Sequence, residues 1–349
     1  IGNQKTFVTT GLFSNNQATM GFAYTSSLQT TSSKLYYYDV YNDTSSVAES
    51  QFAVAYGHRL GSGSSAQGTL NDSPTRAVYS QYRLLTLNPE DTTFSRRQGT
   101  STVSFDSAYF VNFNRSRLKD RLDPGNWQIT LNSLSGSFFA NNVHTGSNVR
   151  AQGAAGRLFS IIDDSGLGNT PTLTTAGRVF NVVSGSITNG IFNPTSPTYL
   201  GLVYPDMGII VLDADQLNGA ANLGLNFNTV TGSNVAGDNA FKLYTSISGA
   251  FAVNRTTHAM QARNEETVTS THYFVRVKNA EYNFSNNPTF VTGTVGEFVQ
   301  PTFIGDPKVY ITTVGMYNDR QELLAVAKLS KPIQKSFNTE ALVKVKLDF

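Results

Sequence analysis

Cysteine is absent from the 349-residue chain, which excludes disulfides, thiol nucleophiles and any zinc site built on thiolate. Charge is scarce too: 14% of residues are Asp, Glu, Lys or Arg, against about 25% in ordinary soluble domains. The balance of 26 basic and 24 acidic residues is nearly even, which disfavours a generally basic nucleic-acid binder. Long apolar runs are missing as well. The best stretch, Tyr199 to Leu212, is broken by Pro205 and Asp206 and falls short of the roughly 20 residues of a membrane-spanning helix. No repeat of fixed period is visible, which removes solenoids and propellers.

In place of charge the chain carries Ser, Thr, Asn, Gln, 29 Gly, 16 Tyr and 23 Phe. Aromatic side chains fit pleated, half-buried surfaces, and their number excludes a disordered chain. The expected fold is therefore mainly β, of sandwich-like or meander-like sheets with a few short helices, in a β-rich α+β class. Lys34 to Tyr41 is apolar on both alternating faces and reads as a central strand buried on both sides. Gln51 to Tyr56 follows across a polar turn and predicts a hairpin with it. Gly61 to Gly68 reads as a loop. A helix is expected over about 73–87, capped by Asp72 or Ser73, opened by Pro74 and buried along Val78, Tyr82 and Leu85.

Ala108 to Phe113 and Asn126 to Leu131 read as strands flanking a charged turn. Leu158 to Ile162, Val179 to Val183 and the two halves of Tyr199 to Leu212 are shorter apolar bursts. Asp238 is placed to cap a second short helix bearing Phe241, Tyr244 and Ile247. Near the end His272 to Lys278 alternates, Val309 to Tyr317 and Leu323 to Leu329 form a hairpin through Asn318–Gln321, and Val343, Val345, Leu347 and Phe349 share one face. The expected division is an N-terminal β-rich region (1–132), a looser glycine-rich middle or inserted domain (133–250) and a C-terminal β-meander (251–349) packing on the first region.

The chemistry-bearing residues form no catalytic constellation. Gly61-Ser62-Gly63-Ser64-Ser65-Ala66 matches a loose dinucleotide fingerprint, but the helix begins too late and parallel strand–helix alternation is missing. His58, His144, His258 and His272 lack metal-ligand spacing. No Gly-x-Ser-x-Gly elbow occurs. Asp163-Asp164 and Asp213-x-Asp215 end apolar strands where a glycosidase pair would sit, yet aspartates there ordinarily start turns or cap helices. Asn254-Arg255-Thr256 is a chance glycosylation match in so polar a chain. No catalytic residue, cofactor or metal is assigned. Arg115, Arg117, Lys119 and Arg121, with Asp120 and Asp123, read either as a solvated turn with local ion pairs or as a docking patch. Arg96, Arg97, Arg115, Arg117, Lys331 and Lys335 are the candidate assembly contacts, because paired charges fix register between subunits.

Four strings carry a family resemblance. THYFVRVKNAEYNFSNNPTF (Thr271 to Phe290), the segment from Val309 to Phe349, FAVAYGHRLGSGS (Phe52 to Ser64) and VNFNRSRLKDRLDPGNWQITL (Val111 to Leu131) resemble virion structural proteins of contractile-tailed bacteriophages, T4-like and cyanobacterial. The nearest likeness is to a tail baseplate wedge component. That resemblance implies a non-catalytic assembly subunit located in the virion tail and put together in the bacterial host cytoplasm. Its implied partners are other virion or baseplate proteins and copies of itself, with no nucleic acid and no membrane span. Neck, fibre-attachment and capsid-vertex positions remain alternatives. So does a carbohydrate-binding or carbohydrate-degrading spike. An outer-membrane β-barrel is the last alternative, prompted by the terminal Phe349 after an alternating strand.

Overall fold

A computed structural model describes residues 2–25, 36–64, 73–133, 149–152, 156–168, 171–218, 236–253 and 260–348. Asp72, His144, His258, Asn254-Arg255-Thr256 and Phe349 lie outside the described residues. The chain is mainly β, as its composition predicts. In chain order the first strands are β1 (Gly2–Gly11), β2 (Tyr37–Tyr41), β3 (Ser50–His58), β4 (Phe94–Gln98), β5 (Ser101–Phe105), β6 (Ser107–Phe113) and β7 (Arg121–Ser133). Then come β8 (Val149–Gln152), β9 (Gly156–Asp163), β10 (Thr172–Thr174), β11 (Gly177–Ser186), β12 (Gly190–Ile191), β13 (Tyr199–Tyr204) and β14 (Ile209–Asp213). The last are β15 (Met260–Val277), β16 (Val291–Thr292), β17 (Glu297–Phe298), β18 (Val309–Tyr317), β19 (Leu323–Lys335) and β20 (Ala341–Asp348). Four helices are described: α1 (Pro74–Thr86), α2 (Arg115–Leu118), α3 (Ala214–Asn218) and α4 (Ala236–Val253).

The chain divides into two compact units, Val8–Glu266 and a smaller one made of Ile1–Phe7 with Thr267–Phe349. The boundaries expected at 132/133 and 250/251 both fall inside the larger unit, where β7 pairs with β9 and β6 with β14 across the first of them.

In the larger unit an antiparallel sheet runs in the order β15-β7-β9-β11-β13-β14-β6-β3-β2. Both faces of its middle are covered, which explains the unbroken apolar runs. Tyr109, Val111 and Phe113 of β6 and Ile210 and Leu212 of β14 join one core cluster. Their alternating neighbours Ala108, Phe110, Ile209 and Val211 join the other. The first cluster is filled by Ala240, Leu243, Ile247 and Ala250 of α4 with Leu217 of α3. Helix α4 packs on β7 and also on β2 and β3, far apart in strand order, so the sheet curls around it.

The second cluster is capped by Val78 and Tyr79 of α1 and by Phe94 and Phe105 of the β4–β5 hairpin. The Tyr79 hydroxyl ties these pieces together, donating to Phe105 O at 2.9 Å and accepting from Phe94 N at 3.0 Å. Gly57 lets the helix come this close: a Cβ there would stand 2.7 Å from Tyr79 N.

Several expectations are corrected. β2 is the outermost strand of this order and has β3 as its hairpin partner; α4 covers its Tyr38 and Val40 face, while the other face is covered at Tyr41 and open at Tyr37. Helix α1 buries Thr75, Val78, Tyr79 and Thr86, a face rotated away from Leu85, which is exposed. Ser73 precedes it without a side-chain capping bond; instead the loop residue Ser64 accepts from Thr75 N at 3.1 Å. Helix α4 is 18 residues long, well beyond its Phe241–Ile247 signal.

In the smaller unit β20 pairs with β15 over eight residues, from Ser270↔Asp348 to Val277↔Ala341, burying Val343 and Val345 as their alternation predicts. β18 and β19 form the expected hairpin, but as a separate two-stranded sheet. The segment is thus not a meander. A turn at Ser336–Thr339, closed by Ser336 N donating to Thr339 Oγ1 at 2.8 Å, lies between β19 and β20.

Candidate functional site

Three strands of the larger sheet bring polar residues to one end. The register sets His58 opposite Ser107 and Ala108 opposite Asp213, so β3, β6 and β14 terminate side by side. Asp213 Oδ1 accepts from the backbone N–H groups of Asp215 (3.0 Å) and Gln216 (3.1 Å) and so caps α3. Its Oδ2 accepts from Arg96 Nε at 2.7 Å, and Arg96 Nη2 donates to Gln216 Oε1 at 2.9 Å. The side chains are 9% and 4% exposed, so this is a buried ion pair. Partial desolvation, then the charge of Asp213, hold the Asp215 carboxyl above its ordinary range. Burial pushes the His58 imidazole below 6.5, against the opposing pull of Asp106 and Asp215. Its Nδ1 accepts from Leu60 N at 3.1 Å, which leaves the proton on Nε2.

Asp163 and Asp164 follow the same turn-building logic. Asp163 accepts from Gly125 N (2.8 Å) and Ser165 N (3.0 Å), and burial raises its carboxyl above the usual range despite these bonds. Asp164 takes both Asn181 N (2.9 Å) and Asn181 Nδ2 (2.8 Å). Each of these carboxylates, and Asp213, is thus engaged by donors of the chain itself. Among the described residues no group of three or more His, Asp or Glu is arranged to hold a metal.

Beside Arg96 the β4–β5 hairpin and strands β10, β11 and β13 frame an open groove of about 360 Å³, lined by Ser95, Arg97, Thr102, Thr172, Thr174 and Asn181 among others. Arg97 is exposed, with its guanidinium 5.3 Å from the centre of the Tyr199 ring.

The six candidate contact residues separate into three groups. Arg96 is spent on Asp213. Lys335 is fully buried, its Nζ donating to Asn283 Oδ1 at 2.7 Å and Asn279 O at 3.1 Å, so neither cation is presented to a partner. Arg117 is ion-paired with Glu49, and Arg115 donates to Asp206 O at 3.1 Å. The surrounding turn carries further pairs, Lys119–Glu266 at 3.1 Å and Arg121–Glu265 at 3.0 Å, which fits the reading of local ion pairs. Arg97 and Lys331 are exposed.

The feature that sequence reasoning missed is apolar. Among the described residues, fifteen of the twenty-five exposed large hydrophobic side chains belong to the smaller unit. None of that unit's residues joins any of the three core clusters. Its internal packing comprises the buried Val309, Ala341, Val343 and Val345 and a small aromatic knot in which Phe290 meets Phe284, Phe298 and Phe303 at 5.4–5.8 Å. The β18–β19 ribbon contributes five of the fifteen exposed side chains: Tyr317 is 63% and Leu324 66% exposed, with Tyr310, Leu323 and Val326 also in solvent. The apolar run Val309 to Tyr317 signals a strand but cannot tell a covered face from an open one.

No helix among the described residues is long and apolar enough to cross a membrane. Compared with family models, curated proteins and solved structures, the chain finds no match.

Proposed function

We propose that this chain is a non-catalytic structural subunit of a phage virion, built into the tail baseplate through subunit contacts made by its smaller unit. One observation carries the reading: that unit exposes apolar side chains densely while adding nothing to the chain's core clusters. Apolar patches of this kind mark surfaces that another protein covers. A two-stranded ribbon is marginal by itself in water and gains stability from further strands or a packed face. The family resemblance of Thr271 to Phe290 and Val309 to Phe349, the same region, supplies the tail and baseplate part of the proposal. Of the six candidate cations Arg97, Arg115 and Lys331 are exposed and available to orient a partner. The test is a quantitative mass-spectrometric inventory of purified particles, with cross-linking. A fixed copy number and cross-links concentrated in residues 267–349 are expected; absence from the particles contradicts the proposal.

A second reading, saccharide binding, draws on the groove beside Arg97, with its hydroxyl and amide lining. Titration of the protein with acidic and neutral oligosaccharides, and of Arg97→Ala alongside, decides it.

A further inference from the structure

The two edges of the β18–β19 ribbon differ in a way that names a partner. Exposed strand edges in natural proteins are guarded against pairing by charge, proline or bulges. The β19 edge has all three. Lys328, Lys331 and Pro332 are exposed on it, and between the pairs Ile311↔Ile333 and Thr313↔Lys328 it carries the extra residues of a bulge. β18 has none of these: its nine residues, VYITTVGMY, include no charge and no proline. Among the described residues β19 is the one strand paired with it, and its other edge makes no backbone hydrogen bond.

We propose that the β18 edge pairs antiparallel with the β18 edge of a second copy of this chain, giving a four-stranded sheet with the guarded β19 strands outermost. The proposal rests on the assembly reading above and commits it to a self-contact. A two-fold axis through Thr313 sets Tyr310 opposite Met316 of the second copy and Val309 opposite Tyr317. These are aromatic–thioether and aromatic–β-branched pairs, and no like charges meet. The edge is thus self-complementary, as an isologous contact requires. Four strands in place of two also meet the strand count at which a sheet with an apolar face becomes stable.

The chain's lack of cysteine makes the test clean. Full-length Thr313→Cys places two thiols across the axis and should form a disulfide-linked dimer under mild oxidation. Lys331→Cys, on the guarded edge, should form it at least tenfold more slowly. Thr313→Lys faces two ammonium groups across the axis at an exposed position, so an unchanged melting curve is expected together with a dimer dissociation constant raised at least tenfold in sedimentation. Unchanged dimerisation in Thr313→Lys, equal cross-linking of the two cysteine variants, or a wild-type chain monomeric at all concentrations overturns the edge pairing. A dimer that survives Thr313→Lys would leave the assembly reading intact through another surface. Absence of the protein from particles would remove the assembly reading whatever the edge does.

Discussion

Replacing Arg96 by methionine removes the cation paired with a carboxylate that is 4% exposed. Asp213 would keep its two capping N–H donors from α3 but lose the Nε contact at 2.7 Å. Stripping one partner from a buried ion pair costs about 3–5 kcal/mol, because the remaining charge stays desolvated. Asp213→Asn retains the oxygen that caps α3, preserving a bond worth about 1 kcal/mol, but leaves the guanidinium only the neutral acceptors Gln216 Oε1 and Arg97 O, so a loss of about 3 kcal/mol is expected. In the double variant both charges are gone and the neutral cap remains. Its cost should be about 1 kcal/mol against single costs that sum to about 6–8, giving a coupling of about 5 kcal/mol or more. The assay is urea unfolding of the four proteins at pH 7, followed by fluorescence of Trp127, the single tryptophan, which is fully buried on β7. Single-variant costs below about 1 kcal/mol, or costs that add within about 0.5 kcal/mol, would refute the reasoning.

Three further outcomes are expected. His58 is held below its ordinary 6.5, so the unfolded chain takes up the proton first as pH falls. The stability from neutral His58 is therefore complete above about pH 6.5 and drains away as pH drops toward the lowered folded value. His58→Asn, which keeps an acceptor for Leu60 N, should flatten the fall in melting temperature between about pH 7 and 5; an identical slope would count against the assignment. Gly57→Ala should destabilise by about 1–3 kcal/mol through the clash with Tyr79 N, measured by thermal melting, and a neutral result would show that α1 can move away. Deleting residues 341–349 uncovers β15 along an eight-residue pairing, so limited proteolysis should cut within Ser270–Val277; resistance equal to that of the full chain would mean β20 adds nothing to the unit's integrity.

The strands legible in the sequence are those whose hydropathy reports their burial. β6, β13 and β14 are largely apolar on both alternating sets because both faces of the sheet are covered, and β20 alternates because one is. The early part of β15, from Met260 to Thr269, escaped because its half-buried positions hold polar residues, so no apolar periodicity marks it. The β4–β5 hairpin was missed although Gly99, at φ +61°, sits in the tight turn between Gln98 and Ser101. Once that turn is recognised, period two puts Arg96 on the face of Phe94, which points to a buried arginine rather than a contact residue. For Lys335 no local signal exists, since Asn279 and Asn283 lie more than fifty positions away. The capping role of Asp213 was readable from the turn it opens. Its arginine partner, 117 positions distant, was not.

Hydrogen exchange across Val309–Lys335, compared between the free full-length chain and purified particles containing it, tests the central claim most directly. In the free chain, diluted to where it is monomeric, most of the β18–β19 ribbon is exposed or half-buried and its β18 edge is unpaired, so its amides should exchange rapidly. In the particle the same amides should be strongly protected, with β18 protected more than β19. Equal and rapid exchange in both states would contradict the account, because the apolar ribbon would then remain uncovered in the assembly proposed to need it.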